Sequence, residues 1–143
     1  MKTVCFKLYH AKRNKKLHRQ INAAGLAYNH CIAIHKKYYK LYGKSLNKYV
    51  LQKHLTKIKK RPKYLYLREI GSQALQDITD RIDRAYHLFY RNLKAKIKTA
   101  LPSFKKIAKY KSFTLKQSGW KIINENTIVI NKQHYHYFNS RPI

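Results

Sequence analysis

The chain is 143 residues long and carries 33 Lys and Arg against five Asp and Glu, a formal net charge of +28. With 44% hydrophobic residues, four Gly and three Pro it has enough apolar material for one packed core, which argues against a disordered chain. No apolar run reaches the roughly 18–20 residues of a membrane span and no signal-peptide core follows Met1, so no membrane partner is expected.

Taken in chain order, residues 3–8 alternate. Val4, Phe6 and Leu8 fall on one face and Thr3, Cys5 and Lys7 on the other, which predicts a half-buried strand. Asn14 offers an N-cap for a long helix reaching about Tyr42. Its seam is Leu17, Ile21, Ala24, Tyr28, Cys31 or Ile32, His35, Tyr39 and Tyr42, and Gly43 ends it. Ser45 is the expected cap of a shorter helix carrying Leu46, Val50, Leu51, Leu55 and Ile58, which stops before Pro62. Residues 64–67 form a turn or short helical link.

The third helix is expected from Gly71 or Ser72 to about Lys98, with Leu75, Ile78, Ile82, Ala85, Phe89 and Leu93 as its stripe. After Ala100 the period changes. Residues 111–116 alternate around Phe113 and Leu115, and residues 120–122, 127–130 and 135–138 predict further strands, with turns at Ser118-Gly119 and Asn124-Glu125-Asn126. The predicted order is one strand, a three-helix bundle, then three or four strands, an α+β arrangement. It divides the chain into residues 1–10, a helical insertion at 11–100, and 101–143. Asn139-Ser140-Arg141-Pro142-Ile143 resembles the entry to another strand, so a fragment is expected.

An excess of base on this scale favours a polyanion, because each neutralised phosphate releases counterions. Lys outnumbers Arg 25 to eight. A flexible point charge suits the nucleic-acid backbone, whereas base readout favours the forked guanidinium. The 13 Tyr add faces on which bases can stack. Catalysis finds little support. Asp77, Asp80 and Asp83 lie at i, i+3 and i+6 of one helix, and ion pairs of Asp77 with Arg81 and Asp80 with Arg84 account for them better than a metal site. Cys31 and His35 at i, i+4 fall on the apolar seam and read as core. His134 and His136 share the solvent or nucleic-acid side of a strand, with Tyr135 and Tyr137 opposite. No cofactor is expected. Cys5 and Cys31 belong to no recognisable motif, as in a reduced cytoplasmic protein.

Several short segments carry a resemblance. They are Phe6-Lys7-Leu8-Tyr9, Ala27-Tyr28-Asn29-His30, Tyr42-Gly43-Lys44-Ser45-Leu46, Ala74-Leu75-Gln76, and Arg84-Ala85-Tyr86 with Phe89-Tyr90-Arg91. Pro102-Ser103-Phe104-Lys105, Ser112-Phe113-Thr114-Leu115 and Ser140-Arg141-Pro142-Ile143 complete the series. In this order the chain resembles the N-terminal part of the TnpB (OrfB) proteins of bacterial insertion sequences, relatives of the compact type V CRISPR effectors. The resemblance implies a β-barrel wedge domain interrupted by a helical recognition insertion. It implies binding of a guide RNA and of DNA beside the target, and a chain that stops before the RuvC-like nuclease acids and the Cys-rich zinc element.

By the same resemblance Gln76 and Thr114 face the target-adjacent duplex, with Lys48, Ser72 and Leu115 at neighbouring variable positions. Lys105, Lys106 and Lys111 of the basic connector join them as candidate nucleic-acid contacts. The expected partners are guide-type RNA and DNA, and a downstream nuclease fragment could complete the protein. The alternative is a small basic helical regulator entering the DNA major groove.

Overall fold

A computed structural model describes residues 3–10 and 14–140. Residues 11–13, which include the basic pair Lys12 and Arg13, and the segment 141–143 lie outside the described residues. Four α-helices dominate the fold: α1 (Lys15–Tyr42), α2 (Lys48–Ile58), the four-residue α3 (Tyr66–Glu69) and α4 (Gly71–Lys94). A 3₁₀ turn at Pro62–Tyr64 links α2 to α3, and a second one at Ile107–Lys109 lies in the connector after α4. Three short strands follow: β1 (Trp120–Asn124), β2 (Thr127–Ile130) and β3 (Gln133–His136).

The helices bury one seam. Ala24, Ala27, Cys31 and Ile32 of α1 meet Leu51 and Leu55 of α2, Leu67 of α3, and Ala74, Ile78, Ile82 and Tyr86 of α4 in a single cluster. Small residues on α1 keep its backbone close to its neighbours. At Gly25 an added Cβ would stand 3.1 Å from the Cβ of Tyr110, so the connector crosses α1 where any side chain would push its neighbours aside by a few tenths of an ångström. The expected bounds of α1 hold, with Asn14 at the N-cap position and Gly43 left-handed at the C-cap. The cap of α2 is Asn47, whose Oδ1 accepts from the Tyr49 N–H at 2.8 Å, and not Ser45. In α4 the buried stripe turns through Tyr86 rather than Ala85, while Leu93 is exposed and the helix ends at Lys94, short of Lys98.

The expected β-barrel is not there. The sheet is open, antiparallel and three-stranded in the order β1-β2-β3. Strands of four and five residues, three in number, cannot curl through a full turn, which takes more strands tilted and staggered together. Residues 3–8 form no strand. Leu8 makes one antiparallel bridge to Tyr137, flanked by Phe138 N–H to Lys7 C=O at 2.8 Å and Tyr9 N–H to His136 C=O at 2.9 Å. Residues 111–116 form none either, because they lie along the helices, where no strand offers a ladder.

β2 and β3 are joined by Asn131-Lys132, both at positive φ (48° and 68°), as a tight two-residue hairpin demands. The Asn131 side chain then reaches the helices. Its Oδ1 stands 3.3 Å from where a Cβ on Gly71 would lie, and its Nδ2 donates to the Ile70 C=O at 3.4 Å. Gly71 has φ +77°, so this junction tolerates a side chain poorly on both counts.

Histidine sets the acid limit of the fold. His35 is 1% exposed and stacks on Tyr86 with ring centroids 4.7 Å apart. Burial pulls its pKa from 6.5 down to about 4, although Asp83 pulls the other way. His30 and His54, whose Nε2 atoms lie 3.4 Å apart, are also lowered by burial first, His30 then by His54 and Lys63 and His54 by Arg61 and Lys57. The unfolded chain therefore binds more protons than the folded one below pH 6.5. Stability is complete above that value and falls toward pH 4, by about 3 kcal/mol for His35 alone. We expect denaturant titrations to show this slope and His35→Phe to remove most of it; an unchanged slope in the variant contradicts the assignment.

Candidate nucleic-acid interface

Three of the five carboxylates sit on α4, and their placement decides which cations remain free. Asp77, with a side chain 4% exposed, meets Arg81 Nε at 2.7 Å and Lys116 Nζ at 3.6 Å. Asp80 meets Lys116 at 3.0 Å and Lys48 at 3.3 Å, instead of the expected Arg84. Lys116 from the connector and Lys48 from α2 arrive from outside the helix and take both Asp80 oxygens. Burial raises the Asp80 carboxyl, but the hydrogen bonds from Lys116 and Lys48 outweigh it and hold it below its usual range. The Asp80 carboxylate in turn raises the Lys48 ammonium. Asp83 pairs with exposed His87 at 3.4 Å.

Arg81 extends the network to the connector, donating to Tyr110 Oη at 3.2 Å and to Thr114 Oγ1 at 2.9 Å. Gln117 N–H approaches Gln73 Oε1 at 3.4 Å. On α1, Asn29 clamps the backbone of Lys105, donating to its C=O at 2.8 Å and accepting from its N–H at 2.9 Å. The Lys105 ammonium lies 5.0 Å from the Tyr28 ring centre, and Lys36 sits 4.5 Å over Phe104. These interactions fasten the connector across α1 and α4.

The candidate residues therefore separate. Ser72 and Gln76, both exposed one turn apart on α4, line a cleft of about 350 Å³ with Tyr49, Lys53, Thr56 and Lys59. The fold thus brings these two expected residues together, and α2 supplies the rest. Gln52 borders the cleft too, but its amide donates to Thr79 Oγ1 at 2.8 Å. Lys48 is tied to Asp80 and Thr114 accepts from Arg81, and neither borders this cleft. Lys105 and Lys106 are exposed on the connector over α1. Lys111 borders a separate, largely apolar cleft with Leu17, Ile21, Leu115 and Trp120. The polar spacing of Tyr49, Gln52, Lys53 and Thr56, opposite Leu51 and Leu55, was the sequence signal for the α2 wall.

Tyrosine serves the core more than the surface. Tyr28, Tyr86, Tyr110, Tyr135 and Tyr137 are buried, while Tyr9, Tyr42 and Tyr49 are well exposed. Cys31 and His35 are both core, the Cys31 thiol pushed up to about 12 by burial. His134 and His136 are exposed on β3 opposite Tyr135 and Tyr137, and His136 Nδ1 lies 3.1 Å from Thr127 Oγ1. Among the described residues no group of three or more His, Cys, Asp or Glu is placed to hold a metal, and no helix is long and apolar enough to cross a membrane.

No protein-family model matches the chain, and a search of curated proteins finds no match.

The carboxylate network predicts an asymmetry among the acids. Asp77→Asn leaves Arg81 and Lys116 facing a neutral amide and should cost about 2–3 kcal/mol, less than a fully buried pair because Arg81 is partly exposed. Asp83→Asn loses a contact to an exposed imidazole and should cost under about 1 kcal/mol. Equal losses in chemical denaturation would contradict a structural role specific to Asp77.

Proposed function

We propose that this chain is a nucleic-acid-binding module of a TnpB-like transposon protein, acting in the cytoplasm on guide-type RNA and adjoining DNA, without nuclease chemistry of its own and without a membrane partner. The observation that carries the reading is the imbalance left after ion pairing. Of the Lys and Arg among the described residues, only Arg19, Lys48, Arg81 and Lys116 pair with a carboxylate, in a chain whose formal net charge is +28. A surface so basic gains most from a polyanion, and Lys-rich contacts grip phosphate without reading base sequence.

Two further features support the proposal. Asp77 and Asp80 share Lys116, and each has a second cation, Arg81 for Asp77 and Lys48 for Asp80. That arrangement disfavours the binding of two divalent cations, which a nuclease of the RuvC class needs. The cleft holding Ser72 and Gln76 combines exposed amide, hydroxyl and ammonium groups with the Tyr49 ring, a chemistry suited to one base and its phosphate. The ordered motifs shared with the TnpB proteins are what favour guide RNA over duplex DNA alone.

The test is affinity for a structured transposon-end RNA and for random duplex DNA over a range of salt. We expect log affinity to fall steeply with log salt for both, with RNA preferred. Lys53→Ala/Lys59→Ala should weaken RNA binding several-fold, whereas Gln76→Ala should leave it nearly unchanged and alter discrimination among DNA flanking motifs once a relative's nuclease domain is fused. A flat salt slope removes the nucleic-acid reading. Preference for a particular duplex over RNA favours the major-groove regulator instead.

A further inference from the structure

A second cleft, of about 570 Å³, opens where the N-terminal turns of α1, the α3–α4 junction and the β2–β3 turn converge. Lys16 and Arg19 of α1, Arg68 of α3 and Lys132 of the turn border it, with Glu69 as its one acid. Glu69 lies 3.8 Å from Arg19 and both side chains are well exposed, so the carboxylate offsets little of the charge. Arg68 Nε donates to the Lys59 C=O at 2.9 Å, which holds that guanidinium at the rim.

Helix stability does not account for these cations. The first turn of α1 contains no acid, and Lys16 sits where the helix dipole is positive, the end at which a Lys is unfavourable. Gly71, the first residue of the 24-residue α4, borders the same cleft, and its N-cap position is held by Ile70, which has no capping side chain. The leading N–H groups of α4 thus lack a side-chain acceptor there. A third observation is independent of both charge and helix ends. Gln20 lines the cleft at 2% exposure, and its buried Oε1 has no hydrogen-bond partner.

We propose that this cleft binds a phosphate group. A phosphate presents several oxygens in a tetrahedron, which accept from Lys16, Arg19, Lys132 and the leading amides of α4 at once, and its charge relieves the opposed dipole. A protonated phosphate oxygen or an attached hydroxyl supplies the donor that Gln20 Oε1 lacks. The volume exceeds that of a lone anion and falls in the range that takes a nucleotide-sized group, about 300–1,000 Å³. The group is either a backbone phosphate of bound RNA, in which case the inference rests on the function proposed above, or a free phosphate compound.

The experiment is an inorganic phosphate titration of the whole chain at constant ionic strength, followed through the backbone amide resonances of Gly71 and Ser72 and the side-chain amide of Gln20. We expect saturable shifts at these groups. Lys16→Glu/Lys132→Glu should raise the apparent Kd at least tenfold, while the charge-matched Lys7→Glu/Lys121→Glu, on exposed residues outside the cleft, should change it less than twofold. RNA that displaces the phosphate signal identifies a backbone phosphate; RNA that binds without displacing it identifies a free phosphate ligand. Phosphate binding with no RNA binding would keep the cleft and remove the nucleic-acid reading. Wild-type amides that do not shift saturably, or two double variants that weaken phosphate alike, overturn the proposal.

Discussion

The shared carboxylates of Asp77 and Asp80 are the constraint on which the rest of this structure depends. A chain with a net charge of +28 repels itself, and the few acids it has must act where repulsion would otherwise part its elements. The two carboxylates draw together α2 through Lys48, α4 through Arg81 and the connector through Lys116. Arg81 then passes the constraint on to Tyr110 and Thr114. Tyr110 packs against Tyr28 and over Gly25, so the connector is fastened on both sides of the bundle. The sheet follows directly from the connector, and the Asn131 side chain fixes its hairpin against Ile70 and Gly71.

Concentrating the acids on α4 also shapes the surface. The faces that carry Lys53 and Lys59, Lys105 and Lys106, or Lys16 and Arg19 have little carboxylate to answer them. The two clefts arise at these faces, each against the N-terminal half of α4. One is bordered by Ser72 and Gln76, the other by Gly71. Tyrosine contributes mostly from within, filling the spaces between α1, α4 and the connector, while Tyr49 remains as an exposed ring at a cleft rim.

Much of the helical part was legible in the sequence, because a 3.6-residue apolar stripe and a terminal Gly state the physics locally. Gly43 at φ 69° is such a case. The cap at Asn47 was less legible, since Ser45 and Asn47 both carry a capping oxygen and only the path of the loop chooses between them. Alternation misled at residues 111–116. Phe113 and Leu115 do turn inward, but a strand also needs a neighbour for its backbone, and the helices there offer side chains alone. The Asn131-Lys132 turn carries no Gly, so its left-handed pair gave no clear signal. At the candidate site, Ser72 and Gln76 share a cleft because i and i+4 share a helix face. The loss of Lys48 and Thr114 to Asp80 and Arg81 depends on tertiary contacts that no local pattern encodes.

The most direct test of the account is the thermal unfolding midpoint as a function of salt, with and without RNA. The free cations repel one another in the absence of a polyanion, and a ligand at about 100 times its Kd stabilises by about 2.7 kcal/mol. The account predicts that at low salt the midpoint rises by several degrees when RNA is added, and that the rise vanishes at high salt while the midpoint of the free protein increases. A midpoint unaffected by RNA at low salt, in a protein whose own stability does not respond to ionic strength, would contradict it.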